Sequence, residues 1–456
     1  MVGCATLDPV HEVWRIEGPA VRGEQARVVI VGAGFGGLMA ARGLARAPVD
    51  VLLIDRHNYH LFQLLLYQVA TAALSPADIA EPIRAVLRRQ RNATVLLDEV
   101  IGVDPTARAV KTRSGTKQPY DWLILATGSR YTYFGHADWP SRAPGLKSLD
   151  DATLIRRHTL LAFEEAEAAS DPMLRQRLLT FVLIGAGPTG VEMAGALAEL
   201  AHATLSRDFR NINPQTARII LVEAGPRVLA GFPEKLSAFA VRSLERMGVE
   251  VLLDTPIEAI DGRGVTAKTG RIEAANVIWC AGVEASPVAR WLDMPAARGG
   301  RMQVAPDLSV PGHAEIFVVG DAAFVTGPGG EPLPGLAPVA KQQGTYVGEL
   351  ITRRVRGDPV PPPFRYRDEG SLATIGRHSA IADFGWIRLT GFVAWVIWGI
   401  VHIFFLIGFR NRASVFLNWV WAWVTYGRGA RLITGEMTTL AAESRIDEKR
   451  EAQRQV

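Results

Sequence analysis

A glycine-rich turn occurs twice in this chain, each time in the same local setting. The apolar run VVIV leads into Gly32-Ala33-Gly34-Phe35-Gly36-Gly37, and FVLI leads into Gly185-Ala186-Gly187-Pro188-Thr189-Gly190, 153 residues further on. Ala41, Leu44 and Ala45 recur at that offset as Ala194, Leu197 and Ala198, a small apolar helix face able to pack closely on the strand before it. A second pair, LILATG (123–128) and VIWCAG (277–282), keeps almost the same step, 154. One G-x-G-x-x-G alone is a weak signal, because a turn of that composition can be merely structural. Two of them with a shared downstream echo constrain the chain to a duplicated strand-turn-helix plan.

The physics of each turn is the same. Its first glycine allows a tight bend, the second lets backbone N–H groups approach a pyrophosphate, and the third seats the helix against the strand. The phosphates then lie at the positive end of a helix dipole. These roles fall to Gly32, Gly34 and Gly37 in the first unit and to Gly185, Gly187 and Gly190 in the second. An acid completes each unit: VDVLLID ends at Asp55, 23 residues after Gly32, and ARIILVE ends at Glu223, 38 residues after Gly185. A carboxylate at the strand end accepts hydrogen bonds from a ribose 2′-hydroxyl and repels a 2′-phosphate, so the second nucleotide is expected to be NADH rather than NADPH, with Arg227 the one feature pointing the other way.

Composition narrows the rest. A chain of 456 residues favours two or three domains, and 48% hydrophobic against 21% charged residues supplies a large core and excludes disorder. The 50 Lys and Arg nearly balance 46 Asp and Glu and are interspersed, so no nucleic-acid partner is expected. Two cysteines, Cys4 and Cys280, supply neither a disulfide framework nor a metal cluster, and no metal is expected. The first residues lack a basic start and an apolar core, and Asp8, Glu12 and Glu17 argue against a transit peptide, so the chain is expected on the cytoplasmic side.

A late strand, HAEIFVVGD, ends at Gly320-Asp321, a pair able to bond a ribityl or phosphate oxygen. With this strand, the residues resemble the two-dinucleotide-binding-domain flavoproteins. That resemblance implies that Gly32, Gly34, Gly37, Asp55, Ala126-Thr127-Gly128 and Gly320-Asp321 serve FAD, while the inserted unit at Gly185, with Glu223 and Gly282, serves NADH. Within that group the chain is most similar to the type II NADH:quinone oxidoreductases. The likeness rests on HNYHLFQLLLYQVAT (57–71), GAGPTGVEMAGALAEL (185–200), VIWCAGVEASP (277–287), APVAKQQGTYVG (337–348) and GSLATIGR (370–377), and runs over about residues 26–435. There are departures: Leu64 stands where the family often has Pro, and Pro338 replaces the first Gln of the quinone pattern A-Q-x-A-x-Q, whose second Gln is Gln342.

The implied fold is α/β: two Rossmann-like dinucleotide-binding domains, the NADH domain inserted in the FAD domain, plus a C-terminal membrane-associating helical segment. The expected limits are 26–146 and 283–375 for FAD, 147–282 for NADH, and 376–456 for the membrane helices and a polar tail. The implied reaction passes a hydride from NADH to FAD and two electrons on to a membrane quinone, ubiquinone or menaquinone, without proton pumping. Glu192, in the helix after the second turn, is expected by analogy to face the nicotinamide; the bland alternative is a first-turn acid that stabilises the helix dipole. Lys341, Gln342 and His378 are candidate proton donors or relays, and Tyr67 and Gln68 are flavin or quinone neighbours by resemblance only. A homodimer is expected on the same ground. Two rival readings are a membrane-docked FAD- and NADH-binding scaffold or signalling protein, and a flavin reductase feeding a protein acceptor.

The C-terminal region carries 6 of the 11 tryptophans, between Trp386 and Trp423. Residues 391–409 hold no charged side chain and, as one helix, would be about 28 Å long, just enough to cross a bilayer core. Arg388 precedes the run and Arg410 and Arg412 follow it, so the charges assign no inside. The next segment, 413–426, is too short to span. The expectation is therefore monotopic attachment to the cytoplasmic face of the membrane, with Arg388, Arg410, Arg412, Arg428 and Arg431 near the headgroups, followed by a solvated tail.

Overall fold

The apolar runs ending in VVIV and VLLI, mostly buried, form two adjacent inner strands of a six-stranded sheet in the computed structural model, which describes residues 25–434 apart from 328, 426 and 428. The readings of the N-terminal stretch with Cys4, of Arg428 and of the tail after residue 435 lie outside the described residues.

The chain gathers into two compact units. The first takes the residues up to Asn58, Leu87–Gly128 and Ser286–Tyr366; the second takes Tyr59–Val86, Ser129–Ala285 and the residues from Arg367 on. These units divide the chain at other points than the expected domain limits, for local reasons. Ser129–Tyr131 pairs antiparallel with Val283–Ala285, so the two connections stay together in the second unit. Leu66–Ala70 packs on the helices Leu149–Ala168 and Pro188–Glu199, which draws 59–86 there too.

In the first unit the sheet order is Ser309–Val310, His313–Val318, Trp122–Leu125, Ala26–Val31, Val49–Asp55, Ala93–Leu97, parallel except at the Ser309–Val310 edge. Its centre is fully buried through Val28, Val29, Ile30, Leu53, Ile124 and Phe317. The helix Phe35–Gly43 crosses the helix Ala337–Arg356 backbone to backbone: a methyl group at Gly344 would run into the carbonyl oxygen of Gly36, and one at Gly348 would come 2.9 Å from the Ala40 oxygen.

The second unit repeats the arrangement with four parallel strands, ordered Val249–Leu252, Arg218–Val222, Thr180–Ile184, Asn276–Trp279. In both sheets the strand before the glycine turn lies between the acid-ended strand and the strand carrying LILATG or VIWCAG, so the two sequence echoes occupy equivalent positions. Leu149–Ala168 opens on a capping box, with Ser148 Oγ accepting the Asp151 N–H and Asp151 Oδ2 accepting the Ser148 N–H. Three antiparallel strands, Ser371–Thr374, Ala380–Asp383 and Arg388–Thr390, lead into two helices, Gly391–Phe405 and Phe409–Thr425.

The apolar run from 391 is thus helical for only 15 residues, about 22 Å, before the chain breaks at Leu406. Among the described residues no helix is long and apolar enough to cross a membrane. The second helix begins four residues before the expected start at 413, so Arg410 and Arg412 lie in its first turn. Arg412 Nε donates to Leu406 O at 2.7 Å and its guanidinium lies over the Phe404 ring, joining the two helices.

Candidate functional site

Each glycine turn is built by the same contacts. Gly32 and Gly185 sit at φ +98° and +100°, where an L side chain is strained and where a methyl group would meet the Ala126 carbonyl or, at 2.7 Å, the Ala281 Cα. Gly34 and Gly187 are the N-cap residues of the helices that follow; neither makes a side-chain cap, and a Cβ on either would meet nothing within 4 Å. A glycine N-cap thus offers the first-turn N–H groups no side-chain acceptor of its own and leaves open space over its Cα. This fits a pyrophosphate, an acceptor that satisfies such donors at the positive helix end.

The acids take matching positions. Asp55 Oδ2 accepts the Ala33 N–H at 2.6 Å and its Oδ1 accepts the His57 N–H at 2.8 Å. Glu223 Oε2 accepts the Ala186 N–H at 2.7 Å and its Oε1 accepts the Gly225 N–H at 2.9 Å. Each carboxylate thus fixes the middle residue of its glycine turn and the backbone two residues beyond itself, with lone pairs remaining for a ribose hydroxyl. Arg227, the one residue pointing towards a 2′-phosphate, donates to Ala230 O at 2.8 Å within its own loop.

Around the first turn, the hydroxyls of Thr127 and Ser286 are hydrogen-bonded, Gly128 follows at φ +69° with open space over it, and Ala126 is buried beside Gly32. Gly320 opens a short helical turn carrying Asp321, and its N–H donates to Gln343 Oε1 at 2.6 Å. Gln343 is 1% exposed and escapes the sequence reading, which selects its neighbour Gln342. The signal was present: Ala340, Gly344, Val347 and Ile351 mark the buried stripe of the helix, and 343 falls on it. Lys341 and Gln342 are half-buried on the same helix, and Pro338 is in its first turn, where a missing N–H costs nothing.

In the second unit, Glu192 is the fifth residue of Pro188–Glu199, so it lies in the second turn and the first-turn dipole role does not apply. The residue is half-buried; burial of its carboxyl pushes the pKa up to about 8, opposed by the Thr374 N–H, which donates to Oε1 at 3.4 Å. Further along that helix, a Cβ at Gly195 would lie 3.0 Å from Gly376 N, and Glu199 accepts the Arg377 N–H. The GSLATIGR segment therefore covers one face of the helix that starts at the second turn. Gly282, at φ +59°, lies beneath Phe134. Burial pushes the Cys280 thiol up to about 12, so it is no reactive thiolate at neutral pH.

The expected quinone residues fall into two groups. Pro338, Lys341 and Gln342 belong to the first unit; Tyr67, Gln68 and His378 belong to the second. Gln68 Nε2 donates to Tyr67 Oη at 2.9 Å, and Trp419 Nε1 donates to Gln68 Oε1 at 2.7 Å. One turn further along the same helix, Trp423 Nε1 donates to His378 Nδ1 at 3.3 Å; burial and the neighbouring Arg377 charge lower the His378 pKa.

The final helix binds through its polar side. Asn411 donates to Glu81 at 3.1 Å, Ser414 to Asp78 at 2.6 Å, and the Arg377 guanidinium to the Ala422 and Trp423 carbonyls at the helix end. Its outer side carries Phe416, Leu417, Val420, Trp421 and Val424, and the preceding helix exposes Val393, Val396, Ile400 and Phe404. Large apolar side chains thus face outward on both helices, in addition to the buried Ala394, Trp398 and Val415. Among the described residues no group of three or more His, Cys, Asp or Glu could hold a metal ion.

Comparison with known proteins places this geometry. Residues 26–344 match the family described as pyridine nucleotide-disulphide oxidoreductase, and residues 369–428 match the NDH2 C-terminal domain. The type II NADH:quinone oxidoreductases NdhA and Ndh of Mycobacterium tuberculosis are 45% and 46% identical, over 92% and 90% of this chain and the same shares of theirs. A solved structure of NDH2 from Plasmodium falciparum in complex with NADH has a TM-score of 0.82 at 20% identity, covering 89% of this chain and 99% of that one, and so shares the fold.

Proposed function

The chain belongs to the type II NADH:quinone oxidoreductases, and from that premise we propose that it carries electrons from NADH through FAD to a quinone held in the membrane, without moving protons across it. The observation that carries the reading is the duplicated turn, with an open glycine N-cap and a carboxylate clamp in each of two units of one chain. Two such units suit a resident dinucleotide and a dinucleotide that comes and goes.

FAD, when bound, supplies the hydride acceptor and the electron carrier. The residues proposed to hold it are Gly32, Gly34, Gly37, Asp55, Ala126, Thr127, Gly128, Gly320 and Asp321, with Gln343 fixing the Gly320 backbone. Gly185, Gly187, Gly190, Glu223 and Gly282 are proposed for NADH, with Glu192 near its nicotinamide end. A carboxyl with its pKa at about 8 can hold a proton at neutral pH and so place no fixed charge beside the redox centre. The raised pKa of the half-buried Cys280 speaks against disulfide exchange.

The outward apolar side of the C-terminal helices supports docking on a lipid bilayer, and no described helix is long and apolar enough to span one. Monotopic attachment at the cytoplasmic face would let a long-tailed quinone, ubiquinone or menaquinone, arrive from within the lipid. Tyr67, Gln68, His378, Lys341 and Gln342 are the side chains proposed for the quinone and its protons. A homodimer belongs to the same reading. The test is reconstitution in liposomes carrying a pH-sensitive dye: NADH-driven quinone reduction with no NADH-dependent pH gradient is expected, and a gradient abolished by an uncoupler would refute the non-pumping reading.

A further inference from the structure

Phe134 is the one aromatic residue with positive φ among the described residues, at +51°. A bulky side chain pays for that backbone conformation, and such strain persists only where surrounding structure enforces it. Its N–H donates to Thr132 Oγ1 at 3.3 Å, and the Thr132 carbonyl accepts from Trp279 Nε1 at 3.2 Å. The ring stands edge-on to the Trp279 indole, centroids 6.0 Å apart, and its tip covers Gly282, where a Cβ would lie 2.6 Å from Phe134 Cζ. Despite these contacts the residue is 65% exposed. Packing alone does not account for a strained aromatic that buries so little.

Its place in the sheet does. The strand order Val249–Leu252, Arg218–Val222, Thr180–Ile184, Asn276–Trp279 puts Glu223 at the carboxyl end of one neighbour of the glycine turn and Gly282 beyond the carboxyl end of the other. A dinucleotide crosses such an edge at the turn, with its adenosine ribose at the acid. Its other half then extends over the end of Asn276–Trp279, where Ala281 touches the Gly185 turn and Gly282 carries the Phe134 ring.

We propose that Phe134 is a binding residue for the nicotinamide half of NADH, its ring propped on Gly282 to offer an aromatic surface to the nicotinamide. The proposal rests on the assignment of NADH to the Gly185 turn.

The test is calorimetric titration of the FAD-loaded protein with NAD⁺ and with ADP-ribose, which keeps the adenosine and pyrophosphate but lacks nicotinamide. Phe134→Ala is expected to weaken NAD⁺ about fivefold, the scale of one lost aromatic contact, and to leave ADP-ribose unchanged. Phe134→Leu, which keeps apolar cover over Trp279 and Gly282, is expected to behave like the alanine variant and carries the test if that variant fails to fold; Phe134→Tyr is expected to bind like the unaltered protein. Unchanged NAD⁺ affinity in the leucine variant, or equal loss of both ligands, overturns the proposal. Failure of the unaltered protein to bind ADP-ribose as well as NAD⁺ overturns the underlying site assignment instead.

Discussion

Asp55 accepts the Ala33 N–H at 2.6 Å, tying the strand-end acid directly to the middle of the first glycine turn; Glu223 repeats the bond to Ala186 at 2.7 Å in the second unit. The two acids therefore set the shape of two cradles by one device, and the cradles are separable by mutation. Asp55→Asn is expected to lower the flavin content of the purified protein to below about half, since a charged acceptor at the turn is lost. Glu223→Gln is expected to keep its flavin, raise KM for NADH about fivefold and narrow the preference over NADPH. Flavin absorbance and steady-state kinetics read both; flavin loss in the Glu223 variant alone would reverse the assignment.

Glu192 has a raised pKa, about 8, from burial of its carboxyl. The folded state therefore keeps a proton that the unfolded state releases near the ordinary glutamate value, so this group's contribution to stability falls as pH rises from about 4.5 to about 8 and is level above that. Glu192→Gln removes that slope. Its melting temperature is expected to match the unaltered protein at pH 4 and exceed it by a few degrees at pH 9, measured by thermal denaturation. If Glu192 also acts at the nicotinamide, the same variant slows anaerobic flavin reduction by NADH; unchanged binding and reduction rates would leave it a structural role.

Gln343 holds the Gly320 N–H from a fully buried position. Gln343→Leu fills the space but leaves that donor without its acceptor, at a cost of about 1–3 kcal/mol. Reduced flavin retention on dilution and a lower melting temperature are expected, whereas Gln342→Leu, half-buried one position earlier, should change neither.

The lipid-docking reading makes its own demand on Ile400 and Leu417, exposed by 64% on each helix. Changing both to Glu is expected to abolish sedimentation with anionic vesicles and to leave NADH-dependent bleaching of the flavin intact. Undiminished sedimentation would mean that another surface holds the protein to lipid.

Much of this architecture is legible in the sequence because it is duplicated. The turns at Gly32 and Gly185 and the strands of LILATG and VIWCAG recur at a near-constant step, and in both sheets they occupy the same relative positions. The acids are legible from strand-end spacing, although their bonds to Ala33 and Ala186 are not, because nothing local in sequence announces a contact across 22 or 37 residues. Single-residue choices within a helix depend on phase. The quinone pattern draws attention to Gln342 and passes over the buried Gln343 beside it, and placing Glu192 in the first turn misses by one turn, since the helix starts at Pro188. The C-terminal helices are harder still. Their hydropathy reads as one run to 409, whereas the break at Leu406 and the inward polar face of Asn411 and Ser414 depend on tertiary partners Glu81 and Asp78, more than 300 residues away.

The proposed reaction is electron transfer from NADH through FAD to quinone. Its most direct measurement is anaerobic mixing of the detergent-purified, FAD-loaded protein with NADH, with NADPH as the control donor, followed by a short-chain quinone. Rapid bleaching of the flavin by NADH, little by NADPH, and recovery of the oxidised spectrum on adding quinone are expected. A flavin that NADH leaves oxidised, or one that is bleached and not reoxidised by quinone, would contradict it.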